Sequence, residues 1–303
     1  MESKFVSIII PTYREWHLLV HCINALNNQS YPKEKFEVII INNDASQPTP
    51  NDLFLPENFK LIVEGKKGSY AARNSGLQLA KGEIIGFTDS DCIPDKDWIK
   101  NAVDYFKNNE TCSRIAGYIP VFTSPNPTKA ELFDKFYLFP QHSFVAEYGA
   151  CVTANMFTYR YVFDKVGLFN DTLMSGGDIL WGKLAQQANF NIHYVENVVV
   201  QHPATKTIPQ LVKRAKRYAG GTVQTYSKDK SRFANFIGFL ANLRHRFKSR
   251  IKTVYIESEA INAMKKELTP IQKINIKLLK YYLVYIRVIE VLRVQMGKEP
   301  NRA

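Results

Sequence analysis

The chain has little cysteine, no long apolar run, no glycine-rich phosphate loop and almost no acid in its last third. Only four cysteines stand among 303 residues, Cys22, Cys92, Cys112 and Cys151, and none forms a C-x-x-C pair. That excludes a disulfide framework and a cysteine-based zinc site, and makes a reducing compartment the expectation. Cys92 falls inside an acidic stretch, where a small buried filler is the expected role. No segment reaches the roughly 18 uninterrupted apolar residues of a spanning helix. The best candidate, "LLKYYLVYIRVIEVLRVQMG", is broken by Lys280, Arg287, Glu290 and Arg293 and reads as an amphipathic helix. The apolar run in the opening "MESKFVSIIIPTYRE" is too short for the core of a secretory leader, so none is expected. Neither a G-x-G-x-x-G nor the spacing of a P-loop is present. Internal repeats and low-complexity segments are also missing.

The formal net charge of +12 is unevenly spread. Residues 1–204 hold 18 Lys and Arg against 22 Asp and Glu, whereas residues 205–303 hold 22 against 6. A basic tail on a mildly acidic body points to an anionic partner, a membrane surface or a nucleic acid. No recognition motif supports nucleic acid. Within the tail, "IPQLVKRAKRYAGG" gathers Lys213, Arg214, Lys216 and Arg217, and residues 232–255 set Phe and Leu at helical spacing beside Arg244, Arg246, Lys248 and Arg250. Residues 206–252 therefore suit an anionic membrane surface, lying in its plane. Packing on the catalytic body or formation of a homo-oligomer, with the charges solvated, accounts for the same pattern.

What fills the first two-thirds is an alternation of short β-rich runs and helical periods. "FVSIIIP" and "FEVIIINN" are nearly continuous in apolar β-branched residues, as in strands buried on both faces of a parallel sheet. "WHLLVHCINALNNQS" places Leu18, Leu19, Cys22, Ile23 and Leu26 on one helical face. "KLIVEG" is a third strand, "SYAARNSGLQLAKG" a helix ending at Gly82, and "EIIGFTDSD" a fourth strand. Beyond residue 110, "CSRIAGYIPV" reads as a strand and "KAELFDKFYLF" as a helix. "GACVTANMFTYRYVFDKVGLF" reads as strand then short helix, "SGGDILWGKLAQQANF" as a loop entering a helix, and "NIHYVENVVVQHP" as a strand. This order predicts an α/β fold, a doubly wound, mostly parallel sheet flanked by helices. Ligands of such sheets bind beyond the carboxyl ends of the strands. The polar clusters "PTYRE", "NNDAS", "EGKKG" and "DSD" fall at those ends.

Asp89 and Asp91, in "TDSDC", are hard oxygen ligands two residues apart and suit Mg²⁺ or Mn²⁺, although an ordinary acidic turn looks the same. Asp44, in "INNDAS", can accept hydrogen bonds from a base or ribose, or simply close an Asx turn. "EGKKGSYAARNSG" brings Lys66, Lys67 and Arg73 to a helix start that could face a diphosphate, or form a solvated basic loop. Asp178, after Gly176 and Gly177, is either a helix cap or a general base. His202 becomes a metal ligand only if it lies near Asp91. Asp95 and Asp97 are expected to open the next helix, "KDWIKNAVDYF", as cap and first-turn charge respectively.

In series, "VSIIIPTYRE", "LLVHCINALNNQSYP", "VIIINNDAS", "KGSYAARNSGLQLAKGEIIGFTDSDCIPDKDWI" and "SGGDILWGKLAQQANFNIHYVENVVVQHPA" resemble the family 2 glycosyltransferases. The resemblance spans roughly residues 4–205 and implies the GT-A nucleotide-diphospho-sugar transferase fold. It implies a catalytic domain over residues 1–205, with a donor half to about 110 and an acceptor half from 111, followed by a basic helical extension over 206–303. By this resemblance Pro11, Thr12 and Glu15 line the nucleotide pocket and Asp44 contacts the base. Lys67 and Arg73 lie at the phosphates, Asp89 at the ribose side, Asp91 holds a divalent Mn²⁺ or Mg²⁺, and His202 is an extra ligand. Asp178 is the base that deprotonates the acceptor. Two departures stand out. Asn43-Asp44 replaces a paired acid, and Gly177-Asp178 replaces Glu-Asp.

The implied activity is inverting, metal-dependent transfer of a sugar from a nucleotide sugar, with a UDP-sugar expected, to a glycan or lipid-linked acceptor of cell-envelope or exopolysaccharide synthesis. The implied location is cytoplasmic and peripheral, on the inner face of the membrane. A sugar-nucleotide pyrophosphorylase is the competing enzyme, but the first loop lacks the glycine-rich basic sequence of that chemistry. A non-catalytic scaffold that binds nucleotide sugar or membrane is the competing non-enzyme.

Overall fold

The structure, a computed structural model, describes residues 4–226 and 265–300. The expected helical segment at residues 232–255 lies outside the described residues. In chain order the elements are β1 (Val6–Thr12), α1 (Trp16–Asn27), β2 (Phe36–Asn42), β3 (Phe59–Val63), α2 (Ser69–Leu79) and β4 (Ile84–Thr88). Next come β5 (Ile93–Pro94), α3 (Trp98–Asn108), β6 (Arg114–Tyr118), β7 (Val121–Phe122), α4 (Lys129–Tyr137), α5 (Gln141–Tyr148) and β8 (Asn155–Tyr159). The chain continues through α6 (Arg160–Val166), α7 (Gly177–Gln187), β9 (Ile192–Pro203), α8 (Ile208–Tyr226) and α9 (Pro270–Gln295). They form two compact units. Of the described residues, the first comprises 4–120, 141–172 and 177–203, and the second 121–140, 173–176, 204–226 and 265–300.

The first unit is built on a sheet with strand order β3-β2-β1-β4-β8-β6-β9-β5. Four pairings are parallel (β1 with β2 and β4, β2 with β3, β6 with β9), and β8 and β5 enter antiparallel. Every residue of β1, β2 and β4 is buried, which is why these strands read as unbroken apolar runs rather than as alternations. Helix α1 buries Leu19, Cys22, Ile23 and Leu26 of the predicted face, while Leu18 is only half-buried. All four cysteines are free and buried.

Two local expectations need correction. Helix α2 stops at Leu79, with Ala80 already extended, so Gly82 is not its left-handed cap. Gly82 is there because a Cβ would stand 2.4 Å from the backbone nitrogen of Ser7. The chain must pass that close to β1 before β4 begins. Helix α3 begins at Trp98, so Asp97 stands at its N-cap rather than in its first turn, and its side chain makes no capping bond. The Asp95 carboxylate instead accepts the N–H of Asp97 at 3.0 Å.

Arg114, at the start of β6, is fully buried and hydrogen-bonds to the carbonyls of Gly182, Gly149 and Phe190. It ties α7 and the segment after α5 to the sheet. Burial brings its guanidinium down to about 10.

The second unit packs α4, α8 and α9 around Phe133, Phe136, Leu211, Ala215, Leu283 and Val288. Capping boxes open two of these helices, Thr128 with Glu131 in α4 and Thr269 with Gln272 in α9. Arg214, one of the four clustered cations of the basic region, does not face solvent freely. It pairs with the fully buried Asp134, which also accepts the N–H of Thr205 at 2.9 Å.

Candidate active site

The carboxyl ends of β1, β2 and β4 and the start of α2 converge in the first unit, and most of the predicted polar residues lie there. Pro11 and Thr12 are the last residues of β1 and are buried. Glu15 stands at the start of α1, where its carboxylate accepts the Ser90 hydroxyl at 3.2 Å. Burial first, then the charges of Asp91 and Asp89, hold the Glu15 carboxyl above its usual range.

Asp44 follows β2. One of its carboxylate oxygens accepts the backbone N–H and hydroxyl of Ser46, at 3.1 and 2.6 Å, which is an Asx turn. The other accepts the Arg14 guanidinium at 2.6 Å. The Ser46 and Arg14 bonds together hold its carboxyl below the usual value. Arg14 itself has φ +63, a left-handed conformation that is unusual for a non-glycine residue. Asn43 governs the loop before α2. Its amide nitrogen donates to the carbonyls of Glu64 (3.0 Å) and Lys66 (2.8 Å), and its oxygen accepts the N–H of Gly68 at 2.7 Å. Lys66 pairs with Asp171 at 2.7 Å. Lys67 is exposed in this loop and is not drawn into the cluster.

Arg73, one turn into α2, is buried and binds Asp89 at 2.5 Å. Burial pushes the Asp89 carboxyl up, against the pull of Arg73, and Asp91 adds to the rise. Three buried polar atoms around this point have no hydrogen-bond partner among the described residues: Arg73 Nε, Thr12 Oγ1 and Thr88 Oγ1. Buried polar groups are nearly always satisfied, so these orphans, two at the ends of β1 and β4 and one a turn into α2, mark where a polar ligand would sit.

Asp91 and His202 are brought together by β5, a strand of only two residues. Ile93 and Pro94 pair antiparallel with Gln201 and Val200. That register sets the residues preceding β5 against the end of β9, and His202 Nε2 lies 3.2 Å from Asp91 Oδ2. Burial opposes charge on both, but each partner outweighs it: Asp91 is held below its usual value and His202 above. His202 Nδ1 donates to the Pro203 carbonyl at 2.7 Å. A backbone acceptor on one ring nitrogen fixes the tautomer and frees the other for a metal, the arrangement seen around metal-bound histidines. Asp91, His202 and Cys92 each offer a ligand atom within 4.8 Å of the others. The carboxylate and imidazole fit a hard or borderline divalent ion. The Cys92 thiol, driven well above its normal range by burial and then by Asp91, is the poorer donor.

Asp178 lies in the first turn of α7 and is buried. Tyr70, one turn before Arg73 in α2, donates its hydroxyl to Asp178 Oδ1 at 3.0 Å and accepts the Gly177 N–H at 2.9 Å. The Arg73 guanidinium lies 5.7 Å from the centre of the same ring. The sequence assigns no separate role to Tyr70 or Arg14, and it marks Asn43 only as a departure from a paired acid. For Tyr70 a signal was available, since the i and i+3 positions of a helix share a face with Arg73.

Comparison with known proteins agrees with this architecture. The model of the family described as glycosyl transferase family 2 matches residues 7–167. Glycosyltransferase AglE of Haloferax volcanii is 33% identical over 232 residues, 75% of each chain. A dolichyl N-acetyl-α-D-glucosaminyl phosphate 3-β-D-2,3-diacetamido-2,3-dideoxy-β-D-glucuronosyltransferase of Methanococcus voltae is 22% identical over 71% of this chain and 72% of its own. Among solved structures, the mannosyltransferase PcManGT of Pyrobaculum calidifontis, in complex with GDP-Man and Mn²⁺, superposes with a TM-score of 0.61 at 17% identity. That match covers 96% of this chain and 88% of the other. The fold is that of the GT-A glycosyltransferases, and the chain belongs to glycosyl transferase family 2.

Proposed function

We propose that this transferase moves a sugar, with inversion, from a nucleotide-diphospho sugar to a hydroxyl of a lipid-linked or glycan acceptor in cell-envelope synthesis, at the cytoplasmic face of the membrane. A UDP-sugar is the donor to test first. The main support is the Asp91–His202 pair beside the Arg73–Asp89 pair, at the strand ends where such sheets bind ligands. The Methanococcus voltae relative, named for a dolichyl-linked acceptor, supports the lipid-linked class.

In this proposal Asp91 and His202 hold Mn²⁺ or Mg²⁺, which when bound would offset the charge that develops on the leaving diphosphate. Arg73, buried and with an unsatisfied Nε, supplies a second positive centre for the same phosphates. Thr12 and Thr88 offer hydroxyls to the donor. Pro11 and Glu15 shape its pocket, Asp44 faces the base and Lys67 reaches the phosphates from its loop. The acceptor oxygen attacks the anomeric carbon as the bond to the diphosphate oxygen breaks. The acceptor's proton passes to Asp178, because a sugar hydroxyl is too weak an acid to react unaided near neutral pH.

A thermal-shift series with UDP-, GDP- and dTDP-sugars, with and without Mn²⁺, tests this directly. One donor should raise the melting temperature in a concentration-dependent manner, as a native-state ligand must. Asp91→Ala should lose the Mn²⁺-dependent part of the shift. Asp178→Ala should keep the shift and lose transfer. No shift with any nucleotide, or transfer unaltered in both variants, overturns the assignment.

A further inference from the structure

Helix α9 is apolar on two faces. One face, with Ile276, Leu279, Leu283, Val284, Val288 and Val291, is buried in the core of the second unit. The other carries Ile271, Ile274, Leu278, Tyr282, Tyr285 and Ile289, each between 42% and 72% exposed. Their spacing of three and four residues puts them in one narrow stripe, about 27 Å long at the helical rise. A stripe of that length exceeds the scattered apolar exposure of an ordinary surface.

The exposed charges of α9 itself have one sign. Lys273 and Lys277 are exposed beside it. The only acid of the helix, Glu290, is buried and held by Arg293 at 2.7 and 2.9 Å. Tyr281, Tyr282 and Tyr285 are all exposed on this helix. Tyrosine favours a place where an apolar medium meets water. No helix among the described residues is long and apolar enough to cross a membrane.

We infer that the exposed stripe of α9 lies in the plane of an anionic lipid surface, apolar side chains in the acyl boundary and Lys273 and Lys277 at the headgroups. This rests on the proposed use of a lipid-linked acceptor, and it assigns the membrane-facing surface to α9 in addition to the basic residues after 205. A second copy of the chain fits the stripe less well. Two such faces packed together would bring lysines near lysines with no exposed acid on the helix to answer them. A lipid surface supplies the negative charge, and long cationic side chains reach it while their stems stay against the apolar layer.

The test is cosedimentation of the full chain with vesicles of phosphatidylcholine alone and of phosphatidylcholine with about 30% phosphatidylglycerol. The wild type should bind the anionic vesicles, and raising salt from about 0.1 to about 0.5 M should weaken binding through screening. The exposed double substitution Leu278→Glu with Tyr285→Glu should lower vesicle affinity at least about tenfold while leaving the melting temperature unchanged. Three results overturn the inference: no binding to anionic vesicles, binding equal in the double variant, or a stripe-dependent dimer in light scattering without vesicle binding. The nucleotide-sugar thermal shift is read on the same samples. Vesicle binding without a nucleotide shift sinks the donor assignment and leaves the lipid surface standing; the reverse pattern sinks only the lipid surface.

Discussion

Tyr70 and Asp178, more than a hundred residues apart in sequence, share a buried 3.0 Å hydrogen bond, and the same hydroxyl accepts the Gly177 N–H at 2.9 Å. The start of α7 is thereby pinned to α2, the helix that carries Arg73. In the proposed reaction the phosphate-binding side and the acceptor base are held in register by one phenol. Tyr70→Phe keeps the ring and removes the pin. It should lower kcat about tenfold, the scale of a misplaced reactive group, with little change in donor affinity. Steady-state kinetics with a donor titration checks this, and an unchanged kcat would show that Asp178 needs no such positioning.

The family resemblance implies Glu at position 177, and the Tyr70 ring leaves no room for a side chain there. A Cβ at position 177 would come within 2.8 Å of a ring carbon, and a buried phenol cannot swing aside. Gly177→Ala should therefore cost about 1–3 kcal/mol through overpacking. The same change in a Tyr70→Leu background should cost less, with a coupling of at least about 1 kcal/mol in a double-mutant cycle by denaturant unfolding. Additive costs would mean the contact is not the reason for the glycine.

Much of the fold is legible in the sequence because buried parallel strands have no polar face to disguise them. β1, β2 and β4 show themselves as Val-, Ile- and Phe-rich runs, and the polar residues that end them mark the site. The Asp91–His202 contact is different. It depends on β5, only two residues long, pairing with the far end of β9. Two residues show no periodicity, so spacing alone could not join these side chains; the contact stood as a condition on His202 until the family resemblance implied it. Gly82 misled for a related reason: glycine after a helical period looks like a cap whether it is needed for φ or for close approach.

Asn43 looked like a weakened version of a paired acid, but its amide donates to two carbonyls that a carboxylate would repel. Asn43→Asp should loosen the loop from Glu64 to Gly68 and destabilise the fold by about 1–3 kcal/mol, the cost of facing buried polar groups with the wrong partner. Faster amide exchange confined to residues 64–69, with weaker donor binding, is the expected pattern. Unchanged exchange there would mean that the loop is held by other contacts.

Glu37 gives a pH dependence whose sign is fixed by its surroundings. Its carboxylate, carried by strand β2, is buried and accepts Ser7 Oγ at 2.8 Å, the Lys81 N–H at 2.7 Å and Lys60 Nζ at 2.9 Å. Burial alone would push its carboxyl up; Lys60, the Lys81 amide and Ser7 together outweigh it and leave the value below normal. A carboxyl depressed in the folded state stabilises fully above its unfolded value, about 4.3, and loses that contribution as pH falls through the folded value. Glu37→Gln should thus destabilise the protein by about 1–3 kcal/mol near neutrality, and the gap to wild type should narrow below about pH 4. Urea unfolding of both proteins across that range measures it. A gap that widened in acid would mean that Glu37 is protonated in the native state, contrary to the three donors around it.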